Sequence, residues 1–332
     1  MIIQNADSSK MLSISIAAYN VSAYLAEALE SCLCQHAGEL EVIVVNDGST
    51  DNTLEIARGF ERERPDVFKV IDKPNGGYGS TINAAIEVAA GKYFRYLDGD
   101  DWFDAEMLDS YLELLGGCGE DAVYTPYARV YEADGRLELR DDLRDFDEGS
   151  YGMADLQDAP HLAACSLAYR TDLLRDMQFR MTERCFYTDV EYAVLPFAYV
   201  KAFYVSKLPL YRYRIGREGQ SVSLEGIARH YEDIVRVRAR LLCEIRDDSL
   251  DASSFLRRCL AFECAGVYRF LTMIPPDRER KVALIKFDGD LRKRDSLYGD
   301  VLKHSMRARL LCATRFLAYT PLCLLSAGRE AH

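Results

Sequence analysis

The chain has 332 residues, 49% hydrophobic and 28% charged, with no low-complexity tract or internal repeat, which excludes a largely disordered protein and allows a sizeable core. Its ten cysteines fall in apolar periodic segments, with no Cys-x-x-Cys pair and no cysteine-histidine spacing suited to zinc, so they read as reduced core thiols. The net charge of −12 is uneven: residues 1–225 hold 21 basic and 39 acidic side chains, a net −18, whereas residues 226–332 are +6, which argues against nucleic acid as a partner of the front.

In chain order, the opening MIIQNADSSK lacks the basic start and apolar run of a secretory signal, so the expected compartment is the cytoplasm. Residues 12–17 (LSISIA) predict a strand, and Ser22 is placed to cap a helix with Leu25, Leu29, Cys32 and Leu33 on one face. Residues 41–45 (EVIVV) predict a second strand, followed by the polar turn Asn46–Asp51 and a helix through Leu54, Ala57 and Phe60. A third strand at 68–72 runs into the glycine-rich KPNGGYGS, then a helix with Ile82, Ala85, Ile86 and Ala89 inward, then a fourth strand that ends in YLDGDD. This alternation predicts a mainly parallel central sheet with helices on both faces, whose ligands sit at the carboxyl ends of the strands.

Beyond residue 115 the pattern changes. AVYTPYARVYEADGRLEL alternates like a hairpin turning at Ala133-Asp134-Gly135, and an acidic loop runs on to about residue 160. A strand SLAYR, a helix over about 189–200 and the aromatic strands AFYVS and LYRYRI follow, and from 226 the spacing is helical and rich in arginine. The expected organisation is a domain over 1–225, with halves of about 10–118 and 119–225, and a basic helical region over 226–332.

Three polar clusters carry chemistry. Asp47, in NDGSTD, is either part of a turn that satisfies free backbone amides or an acceptor for a ligand donor such as the imide N–H of a uracil. NGGYGS before a helix lacks the P-loop ending, and a flexible turn is its expected role, with contact to a diphosphate as the alternative. Asp98-Gly99-Asp100 puts two carboxylates on one turn, which suits a hard divalent cation completed by phosphate oxygens, while Asp101 and Asp104 are expected to cap the helix of Met107, Leu108, Tyr111, Leu112 and Leu115. Asp189 opens a predicted helix as either a dipole partner or a general base.

In order, SISIAAYN, VIVVNDGSTD, INAAIEVAAGKYFRYLDGDDW, YRTDLL, FYTDVEY and LYRYR resemble glycosyltransferase family 2, inverting nucleotide-sugar enzymes of the GT-A fold, over residues 10–225. The resemblance implies that Ala17, Ala18, Tyr19, Asn20, Asp47, Asn83, Asp98 and Gly99 line the nucleotide-sugar site. It further implies that Asp98 and Asp100 hold Mg²⁺ or Mn²⁺, and that Asp189 is the base that deprotonates an acceptor hydroxyl. The chain departs from the family at Ala17-Ala18, where Pro-Thr is common, at Ile82, where an arginine often precedes the asparagine, and at Thr188, where the base motif usually has Glu.

The implied partners are a nucleotide-sugar donor, with UDP first, and a glycan or lipid-linked acceptor in cell-surface polysaccharide assembly. A non-catalytic sugar-nucleotide or glycan binder of the same fold is the rival reading, and retention of both Asp100 and Asp189 counts against it. The turn AAYNVS lacks the glycine fingerprint of a dinucleotide-binding dehydrogenase. The tail joins Lys303, Arg307, Arg309 and Arg315 to an apolar run over 316–325 that is well short of the ~20 residues a membrane span needs. Two readings stand for it: contact with the inner face of the membrane, or packing within the protein, with a homodimer as a further partner expectation.

Overall fold

The computed structural model describes residues 10–216, 223–252 and 254–327; residues 1–9, read above for a signal, lie outside these. The chain divides into two compact units, one holding residues up to 185 together with 199–217, the other 186–198 together with everything from 218 onward. This division falls at 217/218, a few residues before the boundary expected at 225, and a thirteen-residue stretch around Asp189 joins the helical unit.

In the first unit, β1 (Leu12–Ala18), α1 (Leu25–Glu30), β2 (Leu40–Asn46), α2 (Thr53–Glu63), β3 (Phe68–Asp72), α3 (Tyr78–Val88) and β4 (Tyr93–Asp98) alternate as the periodicity predicts. Then follow β5 (Trp102–Phe103), α4 (Ala105–Gly117), β6 (Ala122–Tyr124), β7 (Tyr127–Tyr131), β8 (Leu137–Arg140), β9 (Gly149–Gly152), β10 (Leu167–Arg170), α5 (Thr171–Asp176), and after the excursion into the other unit β11 (Ala202–Val205) and β12 (Tyr211–Ile215). The main sheet has the order β3-β2-β1-β4-β10-β6-β11-β9. Its first four strands are parallel, as short helical crossovers require, and β10 then enters antiparallel between β4 and β6.

β1, β2 and β4 are buried almost throughout, which is why their sequences are near-continuous apolar runs. A second sheet, β5-β12-β7-β8, was not foreseen as a separate layer. The expected hairpin over 122–139 is split at Thr125-Pro126, so that AVY joins the main sheet and YARVY the small one, where it does turn back through Gly135 (φ +68°). Ser22 does not cap α1; its backbone N–H donates to Asp51 (3.1 Å), the turn bonds of Tyr24 and Leu25 fall on the Val21 carbonyl, and the helix ends at Glu30, leaving Cys32 and Leu33 outside it.

One buried acid ties three of these strands. Glu41 on β2 accepts from Ser13 Oγ of β1 (2.5 Å), from Lys69 Nζ of β3 (2.5 Å) and from the Ala90 backbone N–H (2.6 Å) just before β4.

The second unit is helical: α6 (Asp189–Val194), α7 (Leu224–Arg229), α8 (Tyr231–Glu244), α9 (Asp247–Ala252), α10 (Ser254–Leu271), α11 (Arg278–Leu291), α12 (Asp295–His304), α13 (Met306–Ala313) and α14 (Tyr319–Ala327). The helix expected over 189–200 is α6 continued by a 3₁₀ turn, Leu195–Ala198. Phe197 meets Phe255 of α10 edge-on with centroids 4.8 Å apart, which is the physical reason the stretch belongs with these helices. All ten cysteines are free, and Cys243 is exposed rather than in the core.

Glu41→Ala strands the half-buried Ala90 N–H and the buried Ser13 hydroxyl, so urea unfolding is expected to show a loss of about 2–4 kcal/mol.

Candidate functional site

The carboxyl ends of β1, β2 and β4 form one cluster in the first unit. At the end of β1, Ala18 is buried, Ala17 is partly buried, and Tyr19 presents its ring to solvent. Asn20 takes a left-handed backbone (φ +51°), in which its side-chain oxygen accepts from Thr50 N–H (2.8 Å) while its own N–H reaches Ser49 Oγ (3.1 Å). The β1 end is thus clasped to the 46–51 turn, and the Asp47 N–H closes the clasp on the Ala18 carbonyl (2.9 Å).

Asp47 is buried, and its carboxylate is engaged. Oδ1 accepts from Lys73 Nζ (2.5 Å) and the Gly76 N–H (2.9 Å), and Oδ2 from the Gly77 N–H (2.8 Å). The glycine-rich loop is therefore anchored rather than flexible, which corrects that expectation. Gly48 lies at φ +74°, and a Cβ there would fall 2.9 Å from Asn75 N, so no other residue fits the contact between the two loops. The buried amide of Asn83 donates to the Met181 carbonyl (3.0 Å) and to Glu183 Oε1 (3.2 Å) and accepts from Met181 N–H (2.8 Å), so it also holds residues 181–183.

The acidic turn divides its aspartates differently from the sequence reading. Only Asp104 caps α4, accepting from Met107 N–H (3.1 Å). Asp101 is buried, takes the Tyr211 hydroxyl on Oδ2 (2.6 Å) and the Arg214 backbone N–H on Oδ1 (2.8 Å), and its N–H closes the turn on the Asp98 carbonyl (3.0 Å). Burial first, then the charges of Asp98 and Asp100, push the Asp101 carboxyl well above the usual range. The Tyr211 oxygen also lies 3.2 Å from Asp98 Oδ2 and accepts from the Asp98 N–H (3.2 Å).

Arg214 Nε donates to the Asp100 carbonyl (2.8 Å), and its guanidinium lies between the rings of Tyr24 and Trp102 at 4.9 and 4.5 Å. At Gly99 a Cβ would lie 2.8 Å from the Ala17 carbonyl oxygen, so the acidic turn packs directly on the β1 end. Lys73, Tyr211 and Arg214 were not singled out from the sequence; the basic and aromatic alternation of LYRYR was the available signal for the last two.

Among the described residues no group of three or more Asp, Glu, His or Cys side chains could enclose a metal ion alone. Asp98 and Asp100 supply two hard oxygen donors on one turn, a set that fits Mg²⁺ or Mn²⁺ when phosphate oxygens complete the shell.

Asp189 belongs to the helical unit, at the start of α6. Its side chain is solvent-accessible yet surrounded by protein, and this desolvation raises its carboxyl, with Arg238 opposing and Glu263 adding to the shift. Arg238 donates through Nε and Nη2 to Glu263 (3.1 and 2.8 Å), while its Nη1 and the Thr188 hydroxyl are buried with no hydrogen-bond partner among the described residues. Tyr187, directly upstream, has φ +61°, a strained backbone for a bulky residue.

With this geometry in view, residues 13–177, about half of the chain, match the family model described as "Glycosyl transferase family 2", and the chain belongs to that family of enzymes. It is 40% identical over 128 residues to a chondroitin synthase of Pasteurella multocida (38% of this chain, 13% of that protein) and 28% identical over 210 residues to the putative glycosyltransferase EpsH of Bacillus subtilis (61% and 60%). The chain thus spans less than two thirds of these relatives' length. Among solved structures, S. aureus TarS 1-349 in complex with UDP shares the fold at TM-score 0.66 and 20% identity, covering 97% of this chain and 92% of that one. The mannosyltransferase PcManGT from Pyrobaculum calidifontis, in complex with GDP-Man and Mn²⁺, does so at TM-score 0.52 and 15% identity, covering 100% and 90%.

Tyr211→Phe removes the hydroxyl that Asp101 relies on and is expected to lower the unfolding free energy by about 1–3 kcal/mol in a denaturant titration at neutral pH.

Proposed function

We propose that the chain is a metal-dependent, inverting glycosyltransferase that moves a sugar from a nucleotide donor, UDP-linked, to a glycan or lipid-linked acceptor in bacterial cell-surface polysaccharide synthesis. The observation that carries the reading is the pair of carboxylates, Asp98 and Asp100, held on a braced turn against the β1 end. Relatives named chondroitin synthase and minor teichoic acid biosynthesis protein GgaB support the polymer class, and a structure with bound UDP-GlcNAc supports the donor class.

In this reading the accessible ring of Tyr19 and the backbone of Ala17–Asn20 take the nucleoside. Asp47 Oδ2, which accepts only from Gly77 among the described residues, keeps one lone pair for an imide N–H. Asp98 and Asp100 would hold the cation, Asp100 as its principal ligand and Asp98 also meeting the ribose. A bound divalent cation supplies neutralisation of the diphosphate charge. Asp189 takes the proton of the acceptor hydroxyl; the new C–O bond forms at the anomeric carbon as the bond to the diphosphate breaks on the opposite side, inverting the centre.

Asp100→Ala is expected to abolish the extra thermal stabilisation that Mn²⁺ adds to UDP binding; an unchanged increment would overturn the metal assignment. Asp189→Asn is expected to lower transfer about 10²–10⁴-fold while leaving UDP binding intact, as read by calorimetry beside a product assay. Because the Asp189 carboxyl is raised and the base acts ionised, wild-type kcat/KM should fall as pH drops through a limb above the ordinary carboxylate range, and that limb should vanish in the residual activity of Asp189→Asn.

A further inference from the structure

We infer that the α13–α14 hairpin is a docking surface for an anionic lipid bilayer. Consecutive left-handed residues, Arg315 (φ +49°) and Phe316 (φ +63°), end α13 and reverse the chain. Arg307, at the start of α13, donates to Ser326 near the end of α14 (3.1 Å), to the Thr272 hydroxyl just past α10 (2.6 Å) and to the Arg269 carbonyl (3.3 Å), so the two arms lie antiparallel and are tied to the end of α10. Tyr319 and Cys323 face inward with Ala308, Leu311 and Phe316.

The outward side is apolar on both arms and at the turn. Met306, Leu310, Leu317, Leu324 and Leu325 are 44–78% exposed, a concentration of large apolar side chains that a solvated helix pair has no use for. Met306 and Leu310 share one face of α13 at i, i+4, Leu317 lies in the turn between the helices, and Leu324 and Leu325 lie on α14.

Charge selects the occupant. The chain is −12 overall, yet residues 301–328 contain four Lys and Arg and no Asp or Glu. Lys303 is neutralised by Asp300 (3.0 Å) and Arg307 is spent on the tie just described, whereas Arg309 and Arg315 are exposed with no acidic partner among the described residues. Exposed leucines interleaved with unpaired arginines match the headgroup boundary of an anionic leaflet, where the apolar side chains enter and the cations meet phosphate. Among the described residues no helix is long and apolar enough to cross a membrane, and α13 and α14 have 8 and 9 residues, so the contact is a lying one.

The test is co-sedimentation of the full chain with phosphatidylglycerol or phosphatidylcholine vesicles, beside sedimentation velocity without lipid. The expected result is binding to phosphatidylglycerol that weakens with added salt, little binding to phosphatidylcholine, and a drop of about tenfold or more in partitioning for R309E/R315E, with its thermal melt unchanged. L317S/L324S should lose binding likewise. Absent or equal binding to the two vesicles would overturn the inference, as would a wild-type dimer that L317S/L324S dissociates, which would assign the face to a second copy.

Discussion

The repulsion among carboxylates at the end of β4 is the constraint around which the first unit is arranged. A buried strand delivers Asp98, Asp100 and Asp101 to one turn, and like charges so close cannot all be ionised at ordinary cost in a partly desolvated place. The small second sheet answers this. β12 runs beside β5, gives the Tyr211 hydroxyl to the buried acid and threads Arg214 under the turn, so backbone and side chain of one strand satisfy what another strand concentrates. The sign of the Asp101 shift follows: the folded chain holds a proton that the unfolded chain releases, so ionising this group lowers stability as pH rises through the window above the usual carboxylate range.

The same economy operates at β2. Asp47 could have been a solvated turn residue, but its oxygens organise Lys73, Gly76 and Gly77, and the glycine-rich loop becomes a fixed wall of the cluster. Asn20 and Asn83 act in parallel, one closing the β1 end on the 46–51 turn and the other securing residues 181–183. Polar side chains at strand ends here set the backbone geometry first, and what remains exposed, such as the Tyr19 ring, is what a ligand can meet.

The parallel half of the sheet was legible because β1, β2, β3 and β4 alternate with helices at periods that hydrophobic patterning reports directly. The split of residues 122–139 between two sheets was not, because strict alternation looks the same whichever partner a strand finds; only Pro126 marks the break. Asp98 and Asp100 stand out in the sequence as acids on either side of a glycine, but the separate fate of Asp101 depends on Tyr211, 110 residues away, and no local pattern carries a contact of that range. Asn83 was assigned by likeness to a family motif, which identifies positions and leaves hydrogen-bond partners unseen. For Asp189 the sequence marks a helix start; the unpaired Thr188 hydroxyl and Arg238 Nη1 nearby are matters of packing.

The guanidinium of Arg214 stacks on Trp102, and that indole is the one tryptophan of the chain. Trp102 follows Asp101 directly, so the protein's whole tryptophan fluorescence originates beside the acidic turn, in contact with a cation that is itself bonded to the Asp100 carbonyl. Any event that changes the charge or spacing of that turn changes the electrostatic field on a single fluorophore. The fold thereby contains an optical reporter of its most crowded polar site, readable in the unmodified protein without a label.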